Sequence, residues 1–132
     1  MSTHVAPFLM FEGRAAEAIE LYTGAFPDGR VITDVRFASG EGPEGTVKEA
    51  VIEVGGIAVR LFDSPAPHGF TFTPSMSLFV TCPSAEEVDR IAGILAEGGQ
   101  FMMPLDSYDF ASRFCWFADR FGVSWQLIYR EE

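Results

Sequence analysis

Apolar residues recur at helical spacing in two stretches of the chain. In RAAEAIELYTGAF, near residues 14–26, Ala15, Ala18, Ile19, Tyr22 and Phe26 form one stripe, and the PDG at 27–29 ends it. In SAEEVDRIAGILAE, near 84–97, Val88, Ile91, Ala92 and Leu95 form the second. Ser84 and Glu87 make an S-x-x-E capping box at its start, and Gly98-Gly99 stop it. Strand signals surround both. PFLMF (7–11) precedes the first helix and SLFVT (77–81) the second, and VITDVRF (31–37) follows the first with mixed polarity. TVKEAVIEV and IAVRLFD flank Gly55-Gly56, a two-residue hairpin signal. FCWFAD and VSWQLIY flank Arg120-Phe121-Gly122, a short turn that predicts another hairpin. ASGEGPEG (38–45) reads as a mobile loop, and DSPAPHGFTFTP (63–74), with three prolines, as a connector. MMPLDSYDF (102–110) reads as an exposed loop or a lid, from which Tyr108 offers a hydroxyl to a ligand.

The resulting order is strand, helix, strands, connector, strand, helix, strands. That is an internal duplication of a β-α-β-β-β unit, within an α+β fold. Local matches support it: AEAIELY begins at Ala16 and AEEVDRI at Ala85, while GIAVRLF begins at Gly56 and GVSWQLI at Gly122, at nearly equal offsets. A ferredoxin-like α+β sandwich has a similar element order, and the paired offsets favour the duplication. The expectation is one domain over 1–132, made of two βαβββ halves (about 5–63 and 75–130, connector 64–74) whose curved mixed sheets surround a cleft.

Alternation along the two matched strands sorts their faces. Val59 and Leu61 lie opposite Ala58, Arg60 and Phe62, and Trp125 and Leu127 lie opposite Ser124, Gln126 and Ile128. The more apolar face is expected against the helices and the mixed face towards the cleft. Arg60 and Gln126 then stand at matched positions as candidate ligand contacts. The competing reading is a strand face wetted by solvent.

A net charge of −10 argues against a nucleic-acid partner and against an anionic membrane surface, both of which need clustered Lys and Arg. No apolar run approaches the roughly 20 residues of a membrane span, and MSTHVAPF lacks the pattern of a secretory signal. Cys82 and Cys115 have no zinc or redox spacing, so reduced thiols in the cytoplasm are expected. Thirteen Phe residues suit either an aromatic-lined pocket or plain core; Phe11, Phe79, Phe114, Trp116 and Trp125 are the bulky candidates. There is no nucleophile elbow, P-loop or strand-bound G-x-G-x-x-G, so neither covalent hydrolysis nor nucleotide chemistry is indicated. Asp63, Asp106, Asp109 and Asp119 fall at strand ends or in loops, and Asp119 reads as a turn residue rather than a general acid. Cys115, inside RFCWF, reads as buried packing.

PFLMFEGRAAEAIELY, SLFVTCPSAEEVDRI and WFADRFGVSWQL resemble the PhnB-like branch of the vicinal oxygen chelate superfamily, which includes glyoxalase I, ring-cleaving dioxygenases and bleomycin-resistance proteins. The resemblance covers nearly the whole chain, and DRFGVSWQ is its most specific part. Some members of the branch carry a 3-demethylubiquinone methyltransferase label. Metal-using members hold a divalent ion through four strand positions, which map here near Pro7, on Arg60, on Ser75 or Ser77, and on Gln126. Only Gln126 offers a suitable oxygen; proline has no donor, arginine is a fixed cation and serine is a poor ligand. His4 and His68 fall at none of these positions. The resemblance thus implies a homodimer that binds a small anionic or aromatic molecule without a metal or other cofactor, through Arg60, Gln126, Ser77, Phe11, Phe79 and Tyr108. The alternatives are a divalent-metal-dependent lyase, isomerase or dioxygenase, and a purely structural interaction module.

Overall fold

A computed structural model describes residues 2–131. It divides into two compact units, one up to Gly69 and one from Phe70, with the division inside the expected connector. The first contains β1 (Phe8–Phe11), α1 (Ala15–Ala25), β2 (Arg30–Arg36), β3 (Val47–Val54) and β4 (Ile57–Asp63). The second contains β5 (Ser77–Thr81), α2 (Ala85–Leu95), β6 (Gln100–Tyr108), β7 (Ala111–Ala118) and β8 (Ser124–Tyr129). Both are β-α-β-β-β, and their four-stranded sheets share one order, β1-β4-β3-β2 and β5-β8-β7-β6, with the first pair parallel and the others antiparallel.

In the first unit the helical stripe is buried as its spacing requires: Ala15, Ala18, Ile19, Tyr22 and Phe26 are all under 9% exposed. It covers the side of the sheet that carries Ala50, Ile52, Val59 and Leu61. The start of α1 has no side-chain cap from its own N-cap residue, Arg14. The carboxylate of Asp63, at the end of β4, fills that role from the far end of the unit. Its Oδ1 accepts from the N–H groups of Gly13 (2.7 Å) and Ala15 (3.0 Å), and its Oδ2 from Val47 N–H (2.9 Å). Asp63 thereby ties helix, β3 and β4 together and places a negative charge at the helix N-terminus. The hairpin at Gly55-Gly56 has both residues at positive φ (58° and 86°), as a primed two-residue turn demands. Asp28 closes it by accepting from both glycine N–H groups at 2.8 and 2.9 Å. The Gly55 bond is the main cause that holds the Asp28 carboxyl below its ordinary range.

In the second unit Val88, Ile91, Ala92 and Leu95 are buried, on the side of the sheet formed by Cys115, Phe117, Trp125 and Leu127. Half of the expected capping box forms. Ser84 Oγ accepts from Glu87 N–H at 3.1 Å, but the Glu87 carboxylate turns to the Arg90 guanidinium instead. Residues 102–110, expected as a loop or lid, are instead mostly strand: β6 runs to Tyr108 at the sheet edge. An edge position accommodates Pro104, which cannot donate to a ladder, and register shifts along the β6–β7 pairing absorb the broken alternation. Asp119 is 3% exposed and closes the β7–β8 turn, accepting from Phe121 and Val123 N–H through Oδ1 and from Trp125 Nε1–H through Oδ2. Cys82 and Cys115 are unpaired and buried, and desolvation pushes their thiols up to about 11 and about 12. No helix among the described residues is long and apolar enough to cross a membrane.

Candidate functional site

The face of the first sheet turned away from α1 carries a hollow. Parallel pairing sets Phe8 beside Arg60 and Met10 beside Phe62, with their side chains on that face. Phe8 and Phe62 stack at 5.2 Å between ring centroids, with planes 4° apart. Together with Lys48, Glu49 and Arg60 they line about 400 Å³, within the usual size of small-molecule sites. Arg60 Nη2 donates to Glu49 Oε1 at 2.6 Å, and Arg60 is 45% exposed. Lys48 pairs with Glu41 at 2.7 Å. The three charged lining residues sum to one positive charge, on a chain that carries −10 overall.

The corresponding face of the second sheet carries a chain of hydrogen bonds. Ser77 lies beside Ser124 and Phe79 beside Gln126, while Trp116 faces Gln126 across the antiparallel pair. Trp116 Nε1–H donates to Ser124 Oγ (2.9 Å), the two serine hydroxyls bond each other (2.7 Å), and Gln126 Nε2–H donates to Ser77 Oγ (3.2 Å). Ser124 is 2% exposed, whereas Phe79 is 55% exposed. Next to this chain Phe114, Ile128 and Ala111 form a buried cluster, with Met103, Tyr108 and Trp116 packed on it.

The six sequence-derived residues divide accordingly. Arg60 stands in the hollow of the first unit; Ser77, Gln126 and Phe79 meet on the second sheet. Phe11 is 5% exposed and shares the helix side of β1 with Leu9, opposite Asp63, so it lies in the core of the first unit. The parity of β1 puts Phe8 on the far face instead. Tyr108 donates its hydroxyl hydrogen to Pro104 O (2.6 Å) and packs its ring on Phe110 and Phe114. Phe8, Lys48 and Glu49 carry no signal of a site in the sequence, nor does the bond from Trp116 to Ser124. The alternation of β4 pointed to Phe62, but an all-apolar four-residue β1 offers no alternation from which to read Phe8.

The register also revises the metal positions. Phe8, rather than Pro7, lies beside Arg60, and Phe79 lies beside Gln126, with Ser77 reaching Gln126 by hydrogen bond. Two aromatic rings, a guanidinium and one amide do not fit a divalent ion. Among the described residues no three His, Cys, Asp or Glu side chains converge as a metal-holding group. His68 is engaged with Ser64 Oγ at 2.8 Å. The one turn where β1 passes through a glycine into a helix is plugged by the Asp63 carboxylate, so it offers no cradle to a cofactor phosphate.

The family model of 3-demethylubiquinone-9 3-methyltransferase matches residues 3–128. A PhnB protein from Bacillus cereus shares 43% identity with the chain, covering 96% of this chain and 99% of that one, with a TM-score of 0.93. Protein PA1353 from Pseudomonas aeruginosa shares 28% identity over 99% and 100% of the two chains, with a TM-score of 0.84. The fosfomycin resistance protein FosX from Listeria monocytogenes has the same fold at 12% identity, a TM-score of 0.61 and coverage of 99% and 95%. No curated protein matches the chain. With its duplicated βαβββ sheets and a match over nearly its full length, the chain belongs to the 3-demethylubiquinone-9 3-methyltransferase family, the PhnB-like branch of the vicinal oxygen chelate fold.

Proposed function

We propose that this chain is a metal-independent small-molecule binding protein whose ligand joins an anionic group to an aromatic body. The state of Arg60 carries the reading. Of its five guanidinium N–H groups, one goes to Glu49, and the other four have no partner among the described residues. They stand beside a stacked pair of phenylalanine rings in a hollow of ligand size. A planar fork of open donors suits a carboxylate or phosphonate, and the rings suit a flat apolar body. The Glu49 pair does not cancel this, because an exposed ion pair is worth little and leaves most of the fork open.

Calorimetry with benzoate and phenylphosphonate tests it. Both bind, benzyl alcohol binds far more weakly, and Arg60→Ala weakens the two anions by at least about tenfold, as loss of a charge-assisted hydrogen bond requires. Unchanged anion affinity in that variant sinks the reading. Chelation with EDTA leaves binding intact; a loss that an added divalent ion restores overturns the metal-free part.

The same proposal includes a homodimer in the cytoplasm. Supporting it, β2 is an edge strand exposed along its whole length, with Val31, Ile32 and Val35 each more than 45% accessible, and edges of that kind call for cover. The two unpaired thiols suit a reducing compartment. Light scattering after gel filtration should read twice the chain mass, falling to one chain mass in Val35→Glu.

A further inference from the structure

We infer that the loop between β2 and β3 carries a built-in competitor for the anionic ligand: Glu41 occupies Lys48, a second cation of the first unit's hollow, and binding exchanges that carboxylate for the ligand's own anion. The inference rests on the anion-binding reading and adds to it a control exerted by this loop.

Strand alternation alone would not bring Lys48 to the hollow. Lys48 and Glu49 are successive in β3, so a regular strand would turn them to opposite faces. The pairing with β2 is irregular at this point. Val35 pairs with Glu49 and Arg36 with Val47, which leaves Lys48 as the extra residue of a bulge. Both side chains accordingly line the hollow together with Arg60. Bulges re-aim side chains, and the one re-aimed here is a cation.

Lys48 does not wait unoccupied. Its Nζ donates to Glu41 Oε2 at 2.7 Å. The loop that delivers Glu41 is braced from within. Phe37 N–H donates to Thr46 O (2.8 Å), Gly45 N–H to Phe37 O (3.1 Å), the Arg36 guanidinium to Gly45 O (3.0 Å) and Thr46 Oγ1–H to Pro43 O (2.7 Å). The second carboxylate oxygen of Glu41 accepts from Ala38 N–H at 2.8 Å. Lys48 is the main cause that holds the Glu41 carboxyl below its ordinary range, so the competitor is charged at neutral pH. A carboxylate already on Nζ repels a second anion that approaches it. The pair is nevertheless displaceable: the Lys48 and Glu41 side chains are 46% and 42% exposed, and exposed ion pairs are weak. Glu41 therefore lowers anion affinity without abolishing it.

Calorimetry with benzoate on the full chain tests the exchange. Glu41→Gln should tighten benzoate by about three- to fivefold, the scale of one exposed ion pair. Glu44→Gln removes the same charge from the same loop at a residue that does not hold Lys48, and should leave the affinity near that of the parent. In Lys48→Met the gain from Glu41→Gln should vanish, because the competitor then guards nothing. A second measurement needs no variant. Saturating benzoate should shift the Ala38 amide resonance, whose acceptor leaves, and spare that of Gly45, which Phe37 O holds. Equal effects of Glu41→Gln and Glu44→Gln, a gain that survives in Lys48→Met, or an Ala38 signal that ignores benzoate would each overturn the inference. Benzoate binding that needs Arg60 but is indifferent to Glu41 sinks this inference alone. No benzoate binding by either the parent or Glu41→Gln sinks the anion-binding reading and the inference with it.

Discussion

Replacing Asp63 with alanine should cost about 4 kcal/mol of stability, from the loss of three charge-assisted hydrogen bonds at a buried site. The residue is 2% exposed, and its two oxygens serve Gly13, Ala15 and Val47. Without the carboxylate, the first turn of α1 and the start of β3 keep three N–H groups with no acceptor. Water reaches the Gly13 group most easily, because that bond is only partly buried, so the total falls short of three full penalties. Asp63→Asn separates charge from shape. The amide retains one oxygen for part of the set but turns N–H bonds towards an N–H donor, so the loss should still be about 2–3 kcal/mol. Urea unfolding reads both variants, and amide exchange at Ala15 and Val47 should accelerate before exchange in the second unit. An asparagine variant as stable as the parent would show that the carboxylate is not the tie described.

Asp119→Asn should cost about 3 kcal/mol by the same physics in the second unit. Oδ1 holds Phe121 and Val123 N–H at 2.9 and 3.0 Å, and Oδ2 holds the indole N–H of Trp125 at 2.9 Å. Asparagine keeps the turn bonds and sets its own N–H₂ against the indole. Trp125 is 1% exposed, so neither donor finds water. Trp125→Phe removes the indole donor at the expense of a cavity. In the double variant the donor clash disappears, and the combined loss should be smaller than the sum by about 1–2 kcal/mol, as for residues in direct contact. Strict additivity would mean that the bond from Trp125 to Asp119 carries no energy.

Particular residues show how far local pattern reaches. The two helical stripes became buried faces because burial of a helix follows its own 3.6-residue spacing. The Gly55-Gly56 hairpin and the Asp119 turn were legible because turn geometry is a property of a few adjacent residues. The β6 strand was missed because Pro104 and the register shifts erase alternation, and it tolerates both only by standing at an edge. The parity that buries Phe11 and exposes Phe8 is set by pairing with β4, some fifty residues away. The partners of Gln126 are equally non-local. Nothing near it in the chain announces Ser77, which reaches it only because β5 pairs with β8.

Order of elements, their duplication, the helix faces and the tight turns were thus determined by the chain itself, since each depends on neighbours within a few positions. The tertiary structure alone decided which oxygen answers which N–H. Asp63 became the cap of a helix that lacks one, and the glutamine of the last strand became the end of a hydrogen-bond chain that runs through Ser77. The reason is that a buried polar group takes whatever partner the folded sheet brings within reach, and that partner lies at a sequence distance no periodicity records.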